Sequence, residues 1–388
     1  MKKRIAFVSK TMVVGGVEKV LIELLNEIDY DLYDVDLWLS QPGGEFFYLI
    51  PPLVNIKYWG IDCTRKMLFK QIADGRYLNF IKGIYYRCLL RLHSKNWVLN
   101  EIYATRAQAE YNEKYDCVVA FQGISPTVVA TSLYRIEAPI KIVWIHGKDA
   151  FSSNQITQMA KLYKKFSHIF CVSESTKTYF CDQFSSFDQA ASVFYNLNNA
   201  EEILEKGDEV VSDEMTPFSI VTVGRLSKLK GQIMVPRTVR FLLDAGYKVH
   251  WYLVGDGELR PMVEKEIQKY DVAENVILLG TKTNPYPYIK KCDIYVQPSF
   301  SEGYCTTTVE AKILNKPIVT TDAPGMREQF ISGENGLIVD EMTPESLFEG
   351  IKLLIDHPEM REKFKRNLAK ETYDNSKELQ KLYDFIES

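Results

Sequence analysis

The sequence predicts an α/β protein built from two Rossmann-like domains. Three observations carry that expectation: a length of 388 residues, short apolar runs that recur at strand length and end in polar or glycine-bearing loops, and one polar, acidic break near mid-chain. A chain this long exceeds one ordinary core, so two domains of about 200 residues or fewer are expected.

The rhythm begins at Ile5-Ala6-Phe7-Val8, a short run suited to a buried strand. The loop with Gly15 and Gly16 follows, and then Val17, Val20, Leu21, Leu24 and Leu25 repeat at helical spacing up to Ile28. Further strands are expected at 35–39, 117–121, 140–145 and 169–172. The segment "NLNNAEEILEKGDEVVSDEMT", 196–216, interrupts the rhythm and reads as the interdomain connection. Strands then resume at 218–223, 249–254, 276–279, 293–297, 317–321 and 337–339, with helices between them, which gives parallel sheets by the βαβ rule. The tail from about Pro358 is charged and helical in composition. The expected domains are 1–196 and 197–370, followed by a terminal helix over 371–388.

Composition excludes several classes. A net charge of −4 gives no case for nucleic acid binding. The seven cysteines (63, 88, 117, 171, 181, 292 and 305) form no CxxC pair, so neither a disulfide framework nor a zinc site is expected, and a reducing, cytoplasmic setting follows. No stretch reaches the roughly 18 apolar residues of a membrane span.

Ligands of such sheets bind beyond the carboxyl ends of the strands, so the loops there carry the chemistry. "GRLSKLKG", 224–231, puts Arg225 and Lys230 after one strand, two cations suited to a diphosphate. "SEGYC", 301–305, follows another strand and opens a helix, where backbone N–H groups of Tyr304, Cys305 and Thr306 suit an anion and Gly303 permits close approach. Glu310, about two turns into that helix, is in range of a ribose diol, and Glu302 of the group attached beyond the phosphates. "VGDGE", 254–258, lacks the third glycine of a dinucleotide fingerprint, so a nicotinamide cofactor is not expected. His146 in "WIHG" sits at a strand end, whereas Asp34 and Asp36 spell a DxD inside an alternating strand and are not read as metal ligands.

Taken in order and spacing, "VGRLSKLKG", "VGDGE", "SFSEGYCTTTVEAKILNKPIVTTDAPGMRE" and "GENGLIV", with Glu302 and Glu310 eight apart, resemble the family 4 retaining glycosyltransferases of the GT-B fold, of the bacterial surface-polysaccharide type. The resemblance covers nearly the whole chain. It implies two facing Rossmann-like domains with a cleft between them and a final helix that returns to the first domain. It also implies that Arg225 and Lys230 hold the donor diphosphate, that Glu302 contacts the transferred sugar, and that Glu310 binds ribose. Gly15 and Gly16 would lie near the diphosphate and acceptor, with His146 beside the reacting sugar. Two departures stand out: Tyr304-Cys305 replaces the Phe-Gly pair common after the first glutamate, and the first loop lacks the proline often found before its glycines.

The expected activity is retaining, metal-independent transfer of a hexose-type sugar from a nucleotide diphosphate sugar, UDP favoured on family frequency, to a hydroxyl of a glycan or lipid-linked acceptor. No cofactor is expected, and base recognition falls to the loop Thr281 to Pro285. A non-catalytic subunit of the same fold that binds glycan or protein, and a sugar-nucleotide epimerase, are the alternative readings. Residues 61–97 hold eight Lys/Arg against Asp62 and Asp74, interleaved with aromatic and apolar residues, which fits an anionic membrane surface or an amphipathic helix packed on the first domain.

Overall fold

The computed structural model describes residues 2–60, 77–93, 96–108, 111, 113–148, 151–211, 213, 215 and 218–387. It divides into two compact units, Met1–Leu197 with Asn375–Ser388, and Asn198–Asp374.

The first unit is a seven-stranded sheet in the order β3-β2-β1-β4-β5-β6-β7. Its strands are β1 Lys3–Val8, β2 Tyr33–Leu39, β3 Asn55–Tyr58, β4 Cys117–Ala120, β5 Ile140–Ile145, β6 His168–Cys171 and β7 Ala191–Val193. All neighbours pair in parallel, β1 with β4 from Ile5↔Cys117 to Val8↔Ala120. Ile5 to Val8 are fully buried, as a parallel sheet covered on both faces requires. Helix α1, Gly16–Glu27, turns Val20, Leu21, Leu24 and Leu25 inward. The two strands absent from the sequence reading are the edges. β3 is half exposed and β7 has only three residues, so neither leaves an apolar run.

Helix α2, Tyr77–Leu92, packs on α3, Trp97–Arg106, with Tyr86 stacked on Tyr103 at 6.1 Å between ring centroids. Lys66, Lys70, Cys63 and the rest of 61–76, with 94–95, lie outside the described residues. The C-terminal helix Ser376–Glu387 belongs to this unit. Phe385 stacks on His168 at 3.8 Å between centroids, Tyr383 on Tyr33 at 5.0 Å, and Lys3 pairs with Glu387 at 2.9 Å.

The second unit is a six-stranded parallel sheet in the order β10-β9-β8-β11-β12-β13. Its strands are β8 Ser219–Val223, β9 His250–Val254, β10 Val276–Gly280, β11 Ile294–Gln297, β12 Ile318–Thr321 and β13 Leu337–Val339. The acidic segment read as a connection is partly structured. Residues Ala200–Lys206 form a helix that buries Ile203 in this unit's core, while 212, 214 and 216 lie outside the described residues. In both sheets the chain order reverses at the centre, between β1 and β4 and between β8 and β11. Loops there leave for opposite sides and open a ligand crevice.

Candidate functional site

At the β8/β11 reversal three loops lock together through backbone contacts. Leu226 N–H donates to the Asp256 carbonyl at 3.0 Å and Phe300 N–H to the Leu229 carbonyl at 2.8 Å. Two glycines make this approach possible. A Cβ on Gly231, which has φ +69°, would stand 1.8 Å from the Pro298 carbonyl oxygen, and one on Gly255, at φ +137°, 2.1 Å from that of Gly224. Gly255 of "VGDGE" therefore serves loop packing. Gln232 clamps the first loop by donating to the Arg225 carbonyl at 3.1 Å, and the Arg225 side chain stays exposed at the strand end.

Lys230, on the same loop, donates to both carboxylate oxygens of Glu302 at 2.8 Å each. Burial lowers the ammonium pKa, but the Glu302 charge, the neighbouring Cys305 and the hydrogen bond to Glu302 together raise it above its ordinary value despite the like charge of Arg225. Glu302 is 8% exposed and also accepts from Ser299 Oγ at 2.5 Å. Behind it Gln297 donates to Ser299 Oγ at 2.8 Å and accepts from the Tyr295 hydroxyl at 2.8 Å. This chain of neutral donors fixes the carboxylate's position without cancelling its charge.

Beyond Glu302, Gly303 and Tyr304 are half-buried and Cys305 caps the helix Thr306–Ile313. Burial pushes the Cys305 thiol up to about 11, so it remains protonated and acts as packing. The helix start points its first N–H groups away from any intrahelical acceptor. Thr308 Oγ1 donates to Gln329 at 2.7 Å, and Gln329 returns a bond to the Cys305 carbonyl at 3.3 Å. Glu310 stands about one turn into the helix and not two, because the helix starts only at Thr306, and it is 1% exposed, unlike an ordinary outward-facing helix glutamate. Gln297, Ser299 and Gln329 escaped the sequence reading. Gln297 carried a signal, a polar residue closing the apolar run Ile294-Tyr295-Val296.

The first unit gathers its own groups at the β1/β4 reversal. Gly15 is extended and Gly16 opens α1 with helical backbone, so neither is required by strain; a Cβ on Gly16 meets nothing within 4 Å. Gln122, after β4, accepts from the Lys10 N–H at 3.2 Å and donates to Glu18 Oε1 at 3.1 Å, tying the loop after β1 to α1. Glu18, 8% exposed, was also missed, although it follows the glycine pair by two residues. His146 stands after β5 with its ring 4.5 Å from that of Phe121. Burial drives its pKa down to about 3, partly opposed by a hydrogen bond to the Phe121 backbone, so the imidazole is neutral. Its Nε2 is buried with no partner among the described residues. With the other nitrogen bonded to backbone, Nε2 is left as an acceptor for a hydroxyl.

Asp36 is held in a different network. It accepts from Tyr115 at 2.5 Å, Asn55 at 3.1 Å and Arg4 at 3.2 Å, and pairs with Lys57 at 2.8 Å. Burial alone would raise its pKa, but Lys57, Tyr115 and Asn55 hold it below the ordinary value. Asp34, near the start of β2, is exposed. Among the described residues no group of three or more His, Cys, Asp or Glu could hold a metal ion. A cavity lined by Phe241, Phe348, Asp244, Glu345 and Glu349 shares no residue with the loops after β8, β9 and β11.

Residues 205–371 match the family described as glycosyl transferases group 1, and so fall within the second unit. The chain is 29% identical over 211 residues to N-acetylgalactosamine-N,N'-diacetylbacillosaminyl-diphospho-undecaprenol 4-alpha-N-acetylgalactosaminyltransferase of Campylobacter jejuni, covering 54% of this chain and 56% of that one. It is 25% identical over 195 residues to the capsular polysaccharide biosynthesis glycosyltransferase CapM of Staphylococcus aureus, covering 50% of each. The chain thus spans about half the length of these curated relatives. Among solved structures, Anabaena Alr3699/HepE in complex with UDP and glucose aligns over 100% of both chains with a TM-score of 0.73 and 17% identity. At that identity the likeness establishes the fold, GT-B, and nothing finer.

Proposed function

We propose that this chain, whose second unit carries a glycosyl transferases group 1 domain, is a retaining, metal-independent family 4 glycosyltransferase. It would move a hexose-type sugar from a UDP-sugar to a hydroxyl of a glycan or lipid-linked acceptor. The observation that carries the reading is the pairing of Lys230 with Glu302 beside the start of the helix Thr306–Ile313, with Arg225 exposed at the neighbouring strand end. Cations and a helix N-terminus suit a diphosphate, and a carboxylate held among hydroxyl and amide donors suits a sugar.

In this reading Arg225, Lys230 and the N–H groups of Tyr304, Cys305 and Thr306 hold the diphosphate and take up its growing charge as it leaves. Gly15, Gly16 and Gly303 belong to the donor-binding set, and Glu310 binds the ribose diol. The acceptor oxygen bonds to the anomeric carbon on the face from which the phosphate oxygen departs, and the acceptor proton passes to that phosphate oxygen. Glu302 and neutral His146 orient the sugar, with Nε2 of His146 accepting from a sugar hydroxyl. A double displacement would need a carboxylate on the opposite face, and no residue is assigned that role. The setting is cytoplasmic, with surface attachment through 61–97.

The presence of Arg225, Lys230, Glu302 and Glu310 together favours an enzyme over a non-catalytic binding subunit, which has no need of all four. The test is release of nucleoside diphosphate from the purified chain with UDP- and GDP-sugars, beside a melting screen with the free nucleotides. A ligand at 100 times its dissociation constant raises stability by about 2.7 kcal/mol. A shift with UDP and turnover of a UDP-sugar are expected. Failure of every nucleotide to shift melting rejects the donor site, and free epimerised sugar as product would identify an epimerase instead.

A further inference from the structure

Helix α2 turns an apolar stripe outward. Tyr77, Ile81, Ile84, Tyr85 and Leu92 are 63%, 61%, 45%, 58% and 76% exposed, and Cys88 is exposed among them. Their spacing of three, four and seven places them along one face of the helix. The opposite face is the packed one: Gly83 is buried, Tyr86 stacks on Tyr103, and the Arg106 guanidinium sits 4.5 Å over the Tyr86 ring. The stripe is therefore the outer surface of a helix already docked on α3, and α3 adds Trp97, 49% exposed, at its start. Monomeric soluble proteins seldom leave so much apolar side chain contiguous without a partner.

Charge identifies the partner. Lys82 and Arg91 are exposed on the flanks of the stripe. The chain as a whole carries a net charge of −4, yet α2 itself holds Lys82, Arg87 and Arg91 and no acidic residue, so this helix is locally positive. Two tyrosines within an aliphatic stripe, bordered by long basic side chains, match the boundary between lipid tails and headgroups. No described helix is long and apolar enough to cross a membrane, so the helix would lie along the surface. We infer that the outer face of α2, with Trp97, inserts into the headgroup boundary of an anionic bilayer. This deepens the surface-attachment part of the proposed function, and its readout is binding, so its failure leaves the donor-site reading untouched.

The full chain would be sedimented with vesicles of phosphatidylglycerol and phosphatidylcholine, and with phosphatidylcholine alone, at 0.1 M salt. Binding to the anionic vesicles at least about tenfold stronger is expected. Tyr77→Asp with Ile81→Asp changes two of the most exposed side chains of the stripe, so it should abolish binding with melting unchanged. Lys82→Gln with Arg91→Gln should erase the preference for anionic lipid while leaving melting unchanged. Equal binding to both vesicle types, or anionic binding that survives the double aspartate variant, overturns the inference. A concentration-dependent dimer in sedimentation velocity that the aspartate variant dissolves also overturns it, because a second copy then covers the stripe.

Discussion

Lys230 Nζ lies 2.8 Å from each carboxylate oxygen of Glu302, a two-point ion pair between loops 72 residues apart. The lysine side chain is 27% exposed and the glutamate's 7%. A pair so placed links stability to function, because removing Lys230 leaves the buried Glu302 charge without its cation. Lys230→Ala should lower stability by about 2–3 kcal/mol, below the 3–5 of a fully buried pair, and turnover by roughly 10² or more. Lys230→Met combined with Glu302→Gln should recover most of the stability and none of the turnover. Recovery of turnover in the double variant would mean that the pair is structural and the diphosphate assignment wrong.

Arg225 separates the two effects from the other side. Its side chain is exposed, so Arg225→Ala should change stability by no more than about 0.5 kcal/mol. Turnover should nevertheless drop by roughly 10², on the scale of one lost transition-state contact. Wild-type turnover in this variant would remove Arg225 from the donor site.

Glu310 is 1% exposed, so an isosteric change is the cleaner probe. Glu310→Gln keeps the volume and should weaken UDP binding by about tenfold, the loss of one charge-assisted hydrogen bond. Calorimetric titration with UDP reads this directly. Unaltered UDP affinity would show that the carboxylate serves the helix packing and not the ribose.

Turnover should persist in excess EDTA. In the proposed mechanism the charge of the leaving diphosphate would be met by Arg225, Lys230 and backbone N–H groups, and Asp36 of the DxD is engaged by Lys57, Arg4, Asn55 and Tyr115. Loss of activity on chelation, restored by Mg²⁺ or Mn²⁺, would contradict the metal-independent reading.

The buried strands were legible because a parallel strand covered on both faces reads as an apolar run, as Ile5 to Val8 and Ile294 to Val296 do. β3 and β7 were not, because edge strands bury too little to leave one. In the candidate site, the strand-end positions of Arg225, Lys230 and Glu302 followed from the element order. The direct contact between Lys230 and Glu302 did not, since no local pattern pairs side chains across two loops. Ser299, Gln329 and Gln122 were invisible for the same reason: a neutral side chain declares its role only through its partner, and Gln297 showed itself only as the polar end of an apolar run. Asp36 shows the reverse case, a motif that looks like metal chemistry in sequence and is occupied by Lys57 and Tyr115 in space.

Two histidines should make stability fall in mild acid. Burial pushes His146 down to about 3 and His168 down to about 4, whereas in the unfolded chain each titrates near the ordinary value of about 6.5. Between about pH 6.5 and 4 the unfolded chain therefore binds protons at both positions that the folded chain does not. Stability is full above about 6.5 and is lost as pH falls, by up to about 1.4 kcal/mol per pH unit for each histidine. Carboxylates such as Asp36, held below their ordinary range, add to the loss only below about pH 5, so the slope between about pH 6.5 and 5 belongs to the imidazoles. His168 is the more informative of the two. It is 6% exposed, its Nε2 lies 2.7 Å from Ser192 Oγ, and its ring is stacked on Phe385 of the C-terminal helix. His168→Phe keeps the stack and removes one titrating group. Urea unfolding from pH 7 to 5 should then show about half the wild-type slope, whatever the variant's absolute stability. An unchanged slope would place the titration elsewhere.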